Sequence, residues 1–263
     1  MTAVRTTAGL LRVYRPPEPD GRGLVWVHGG GFTAGGLDMP ESDWVSRELA
    51  DRGVTVFAVN YRLAGAATRY PAPSDDVLSA WRCATALAEE YVVSPVRLAL
   101  GGASAGANLA TGAVIRMLAG GEHPLPACVV LAYPTLHVDQ PSPSAELEAA
   151  LAAAPAADRF APPRISAMYR AYLGEEISTP PVAAVPGLAS RTHLSGFPPT
   201  LILLSEIDDL RASGEVFAGQ LAAARVRVRV ETEWGALHGH LNRPGDDTAR
   251  RSLERIEARL AEM

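Results

Sequence analysis

Short, almost uninterrupted apolar runs alternate with segments of helical periodicity along this chain. That alternation restricts it to a mostly parallel sheet with helices on both faces, a doubly wound α/β fold. The runs are Leu24–Val27, Val54–Val59, Arg97–Leu100 and Cys128–Tyr133, each bounded by glycine, asparagine or proline on at least one side, and Leu201–Leu204, which follows the breaker Pro198-Pro199. Helical patterns separate them at Ser74–Tyr91, Ala105–Leu118, Leu210–Ala224 and Thr248–Leu260. In the first, Val77, Leu78, Trp81, Thr85, Ala88 and Tyr91 share a face, with Ser74 expected as the N-cap and Asp75-Asp76 in the first turn. Val226–Val230 alternates valine with arginine, so it is expected to be a strand with one wet face near a sheet edge.

The 263 residues fit a single domain, 1–263, interrupted once. Between 135 and 199 no strand pattern occurs; prolines, an alanine-rich run over 145–157 and a helical pattern at Ile165–Leu173 take its place. A structureless loop of that length would be unusual inside a compact domain, so an inserted cap or lid of short helices is expected. Net charge is −5, which argues against nucleic acid as a partner, because phosphate affinity needs an excess of Lys and Arg. Cys83 and Cys128, both expected to be buried thiols, cannot build a disulfide framework or a cysteine-based zinc site. The first twenty residues lack an apolar core and soon meet prolines, and no run of about 18 apolar residues occurs. A soluble, cytoplasmic protein without a membrane span is the expectation.

Gly102-Ala103-Ser104-Ala105-Gly106 follows a strand pattern directly and precedes a helix pattern directly. A serine nucleophile on a strained strand-to-helix turn needs small flanking residues, and the helix start aims unpaired N–H groups at whatever it attacks. The plainer alternative is a serine that simply caps the helix. His28-Gly29-Gly30-Gly31-Phe32 also follows a strand. Gly29-x-Gly31-x-x-Ala34 satisfies a loose dinucleotide fingerprint, but Gly35-Gly36 and Pro40 interrupt the helix it requires, and Asp51 precedes the next strand instead of ending it. Consecutive glycines whose N–H groups face inward suit an oxyanion hole better.

Such a serine needs a base and the base needs an orienting acid. His28 suits holding the glycine loop, and His123, His137 and His193 suit solvated or packing roles. His238 follows the last strand pattern. His240 makes an HxH pair with it, but no third ligand is placed to complete a metal site. Glu206, Asp208 and Asp209 cluster after Leu201–Leu204, and chain position alone leaves the choice among them open.

Taken together, HGGGF (28–32), NYRLA (60–64), YPAPSDD (70–76), GASAGANLA (102–110), LSGFPPTLILLSEIDDLRASGE (194–215) and LHGH (237–240) resemble the hormone-sensitive-lipase-like branch of the α/β-hydrolases, which includes bacterial carboxylesterases and acetyl esterases. The resemblance runs from about residue 24 to the C-terminus. It implies an α/β-hydrolase fold, with Ser104 as nucleophile, Asp208 as triad acid, His238 as base, and the backbone N–H groups of Gly30, Gly31 and Ala105 as oxyanion donors. It also implies that Arg62 and Asp76 form a structural ion pair. Three positions and one segment depart from the family pattern: Ala103 replaces an acidic residue, His240 an aromatic one, Asp209 a common proline, and Gly65-Ala66-Ala67-Thr68 the usual Pro-Glu-His.

The implied activity is hydrolysis of carboxylic esters with small or medium acyl groups through an acyl-enzyme on Ser104, without cofactor or metal, and falling at acidic pH because the base must be neutral. The same triad would serve an acyltransferase, an amidase or a lactone-opening tailoring enzyme, and the same fold a non-catalytic small-molecule receptor. The expected partner is a small-molecule ester, with a homodimer left open. Only some twenty residues precede Leu24, so the cap is expected to be reduced and to come mostly from 135–199.

Overall fold

Side-chain alternation along the central strands decides which helices cover which face. The computed structural model describes residues 2–5, 9–154, 160–174 and 179–263. Among them, eight strands form one sheet: β1 (Thr2–Arg5), β2 (Leu11–Arg15), β3 (Gly21–Val27), β4 (Thr55–Val59), β5 (Val93–Ala103), β6 (Val129–Ala132), β7 (Thr200–Ile207) and β8 (Val228–Leu237), in the order β1-β2-β4-β3-β5-β6-β7-β8. β3 to β8 run parallel, while β1 and β2 are antiparallel additions at one edge.

Leu24 and Trp26 of β3 face a core shared with Val45 and Leu49 of α1 (Pro40–Asp51) and with Leu253, Ile256 and Leu260 of α7 (Asp247–Ala261). Val25 and Val27 face the opposite core, built with α2 (Ala72–Leu87), α3 (Ala105–Gly120) and α6 (Arg211–Ala223). Helices therefore cover both faces, as the apolar runs required. Among the described strands β8 pairs with β7 alone, at the sheet edge; Arg227 and Arg229 are exposed and Val226 and Val228 half-buried, the wet face that alternation predicted, but Val230 is exposed as well and the strand begins at Val228. No helix among the described residues is long and apolar enough to cross a membrane.

Three local expectations change. α2 begins at Ala72, two residues before Ser74, with Pro71 at the cap position and no side-chain cap bond. Ser74 instead accepts a hydrogen bond from Arg116 Nη1 at 2.8 Å. α1 was hidden because Pro40 looks like a breaker, whereas proline is favoured at the first helical position, where its missing N–H costs nothing. Cys128 is fully buried, but Cys83 is only half-buried.

Between β6 and β7 the chain forms α4 (Ala145–Ala153) and α5 (Pro162–Leu173), with a short 3₁₀ turn at Pro186–Leu188. Ser144 caps α4 by accepting from Leu147 N, and the end of the alanine-rich run, residues 155–157, lies outside the described residues. α5 packs through Ile165, Tyr169 and Tyr172 onto the core that includes α3. Phe32 from the glycine loop stacks on Tyr172, with ring centroids 4.2 Å apart. This segment therefore touches the sheet's C-terminal edge, where the glycine loop and Ser104 lie.

Candidate active site

The turn from β5 into α3 can form only because its neighbours are small. A Cβ on Gly106 would overlap the carbonyl oxygens of Val27 and His28. Ser104 itself has φ 53° and ψ −117°, a conformation that L-residues avoid and that lifts its side chain out of the strand. Its N–H donates to Ala132 O at 2.9 Å, and its carbonyl accepts from Ala107 and Asn108, so the backbone is held on both sides. That bonding replaces the helix-capping alternative, since Ser104 Oγ makes no cap bond.

Ser104 Oγ lies 3.0 Å from His238 Nε2, and His238 Nδ1 lies 2.7 Å from Asp208 Oδ2. Asp208 is 2% exposed, and its second oxygen accepts the N–H of Leu210 at 2.9 Å. A carboxylate only accepts, so the imidazole proton belongs on Nδ1 and Nε2 is left to accept from the serine hydroxyl. The rings of Tyr133 and Phe160 pack on His238 at 5.0 and 4.4 Å.

The three candidate acids separate by their partners. Glu206 Oε2 accepts the Gly235 N–H at 2.6 Å where β7 and β8 shift register. Asp209 Oδ2 accepts the N–H of Phe160, ahead of α5, at 3.1 Å. Of the three, Asp208 is the one whose hydrogen bonds among the described residues include a histidine.

The glycine loop lies beside Ser104. Gly30 has φ 106° and turns so tightly that a Cβ there would overlap the carbonyl oxygen of Ala34. Ala34 N–H donates to Gly30 O at 3.0 Å, and no helix begins until Pro40, so the loop lacks the immediate helix of a dinucleotide site. Gly30 and Gly31 line the same cavity as Ser104. Ala105 is the first residue of α3, so its N–H has no intrahelical acceptor. His28 is fully buried, approaches Gly29 O through Nδ1 at 2.8 Å and stacks on Tyr61. Burial holds its pKa below the usual histidine value, which suits a loop anchor.

His240 faces away from the cavity. Its ring lies between Ser205 Oγ at 3.0 Å and Ser252 Oγ at 2.7 Å, so both nitrogens are engaged and the HxH pair does not converge. Burial, with the neighbouring His238, pushes its pKa down to about 3. Unfolded, a histidine titrates near ~6.5. The folded protein gains this stabilisation fully above that pH and loses it as pH falls from about 6.5 towards 3, by up to about 1.4 kcal/mol per pH unit. Thermal melts between pH 7 and 4 are therefore expected to show Tm falling less steeply for His240→Gln than for the wild type; equal slopes would remove His240 from the acid response.

Elsewhere, Arg62 clamps Asp76 through Nε and Nη2, both at 2.8 Å, the structural pair that the motifs implied. His137 Nδ1 meets Ser213 Oγ at 2.8 Å, His193 Nδ1 meets Ser190 Oγ at 3.0 Å, and His123 is exposed in a loop. The cavity has a volume of about 560 Å³ and is closed on one side by Phe160, Arg164 and Met168 from α5 and its approach. Among the polar lining residues that escaped motif reading are Glu41, Tyr133 and Asn242. Glu41 belongs to the hidden helix α1, and nothing in its local sequence marks it.

A family model described as alpha/beta hydrolase fold matches residues 24–242. The chain is 34% identical over 235 residues to an ethyl acetate hydrolase of Pseudomonas putida, covering 87% of this chain and 70% of that protein. It is 36% identical over 237 residues to the carboxylesterase NlhH of Mycobacterium tuberculosis, covering 88% and 71%. Among solved structures, an esterase of Pyrobaculum calidifontis superposes with a TM-score of 0.83 at 29% identity, covering 100% of this chain and 84% of that one. A bacterial heroin esterase gives 0.79 at 30%, covering 98% and 82%.

Proposed function

Since the chain belongs to the α/β-hydrolase family and is a carboxylic ester hydrolase, we propose that it works through an acyl-enzyme on Ser104 and acts on esters of small or medium acyl groups. The observation that carries this reading is the unbroken series Asp208–His238–Ser104, at 2.7 and 3.0 Å, opening beside a glycine loop. His238 takes the Ser104 proton as the oxygen attacks the ester carbonyl, and Asp208 stabilises the imidazolium that forms. The N–H groups of Gly30, Gly31 and Ala105 stabilise the tetrahedral oxyanion. His238 then returns the proton to the leaving alcohol, and water, activated by the same base, releases the acid.

Residues 135–199 serve as the cap of this single domain, with α5 forming the wall that limits substrate size. The lining supports that: Phe160, Ala167, Met168 and Ala171 present apolar surface opposite Ser104, in a cavity of about 560 Å³. A Cβ on Gly31 would come within 3.2 Å of Met168 Sδ, so this side chain overhangs the proposed oxyanion loop.

A series of p-nitrophenyl esters from acetate to dodecanoate tests the substrate class. kcat/KM is expected to be highest for the short and medium chains and to fall beyond them. Met168→Trp is expected to lower kcat/KM for hexanoate about tenfold more than for acetate, since filling the cavity removes room for methylenes. A preference for dodecanoate, or equal losses across the series in the variant, would contradict this assignment.

A further inference from the structure

Glu41 is 2% exposed, yet three donors converge on its two carboxylate oxygens. Oε1 accepts the N–H of Gly29 at 2.6 Å, and Oε2 accepts Tyr133 O–H at 2.7 Å and Asn242 Nδ2–H at 2.9 Å. The Glu41 backbone completes the bracket: its N–H donates to Asn242 Oδ1 at 3.2 Å, and its carbonyl accepts from Trp26 Nε1 at 2.7 Å. The residue stands in the first turn of α1, where the helix dipole favours an anion.

Each of the three donors leads to a different part of the machinery. Gly29 precedes Gly30 and Gly31, and its carbonyl is held from the other side by His28 Nδ1 at 2.8 Å and Tyr61 O–H at 3.1 Å. Tyr133 follows β6 in a strained conformation, φ 36°, and its ring packs at a steep angle against His238, with centroids 5.0 Å apart. Asn242 ends the short 3₁₀ turn that begins two residues after His238. One carboxylate thus ties the glycine loop, the support beneath the histidine and the loop that carries it.

We propose that Glu41 is a positioning residue for ester hydrolysis: its carboxylate sets the oxyanion loop against the His238 loop, so that the amides and the base meet the transition state together. Its two oxygens are taken up by Gly29, Tyr133 and Asn242, so it acts through them. The proposal rests on the acyl-enzyme reading above and adds to it a fourth side chain that acts through Gly29, Tyr133 and Asn242. Because the alignment matters most in the transition state, the effect belongs in kcat and not in KM.

The experiment compares wild type, Glu41→Ala and Glu41→Gln in p-nitrophenyl butyrate turnover, with kcat referred to active sites titrated by a fluorophosphonate. Affinity for an alkyl trifluoromethyl ketone, which places a tetrahedral oxyanion in the site, is measured alongside. Glu41→Ala is expected to lower kcat about 10²-fold with KM changed less than about threefold, since a displacement near 1 Å costs about that much. Glu41→Gln keeps one acceptor for Gly29 and is expected to recover part of the loss, falling about tenfold. Ketone affinity falls in parallel with kcat.

A kcat per titrated site within twofold of wild type in both variants, with only Tm lowered, would overturn the proposal and leave Glu41 a core residue. So would a loss confined to KM. Should the alanine variant not fold, the glutamine variant carries both readouts. Failure of the underlying reading shows separately, as wild-type protein that hydrolyses the ester without labelling at Ser104.

Discussion

Ser104→Ala is expected to lower turnover of p-nitrophenyl acetate by about 10⁴-fold or more, with the fold preserved. The contacts explain why the two effects separate. Ser104 is held in place by its backbone, through Ala132 O, Ala107 N and Asn108 N, and alanine keeps all three bonds. The hydroxyl has a single side-chain partner, His238 Nε2, so its loss costs about 1 kcal/mol of stability at most. What disappears is the hydroxyl that His238 and Asp208 stand in line with. Circular dichroism and Tm close to wild type, with hydrolysis near background, are the expected results. Wild-type turnover in the variant would remove Ser104 from the reaction.

The second large effect is expected at Asp208. In Asp208→Asn the amide oxygen stays on the Leu210 N–H, where Asp208 Oδ1 now accepts at 2.9 Å, and the NH₂ group then faces His238 Nδ1. Two donors cannot share that contact, so the imidazole proton moves to Nε2 and points at Ser104 instead of accepting from it. Turnover is expected to drop by about 10⁴ with KM little changed, the cost of a wrong tautomer in intact geometry. Glu206→Gln and Asp209→Asn are the internal comparison. Their carboxylates hold Gly235 N and Phe160 N, so kcat is expected to fall less than about tenfold. A larger loss at Asp209 than at Asp208 would reassign the acid.

How much of this was legible in the sequence depended on whether a residue's role is local. Ser104 was legible because a strand, two glycines and a helix start within a few positions leave few other uses for it. His238 was legible from its place after the last strand. Asp208 was not separable from Glu206 and Asp209 by physics alone, because all three stand at one strand end and differ only in what lies opposite. The family resemblance supplied that choice, and the hydrogen bonds supply its physical reason.

Less local features stayed hidden. β2 was missed because Leu11–Arg15 is short and followed by prolines, and it becomes a strand only by pairing antiparallel with β4. α1 is hidden because Pro40 reads in sequence as an interruption, and Glu41 is hidden with it. Its three donors come from positions 29, 133 and 242, so no spacing in one segment could announce the contact. His240 illustrates the same limit. Its spacing from the base forms an HxH pair that lacks a third ligand, and nothing nearby in the chain names its actual partners, Ser205 and Ser252, which lie on a neighbouring strand and the last helix.

Covalent labelling asks whether Ser104 carries the acyl group. The protein is treated with an alkyl fluorophosphonate, digested, and the modified peptide sequenced by tandem mass spectrometry. One adduct per chain on Ser104, appearing at the rate at which ester hydrolysis is lost, is the predicted result. An adduct on another residue, or complete loss of hydrolysis with Ser104 unmodified, would contradict it.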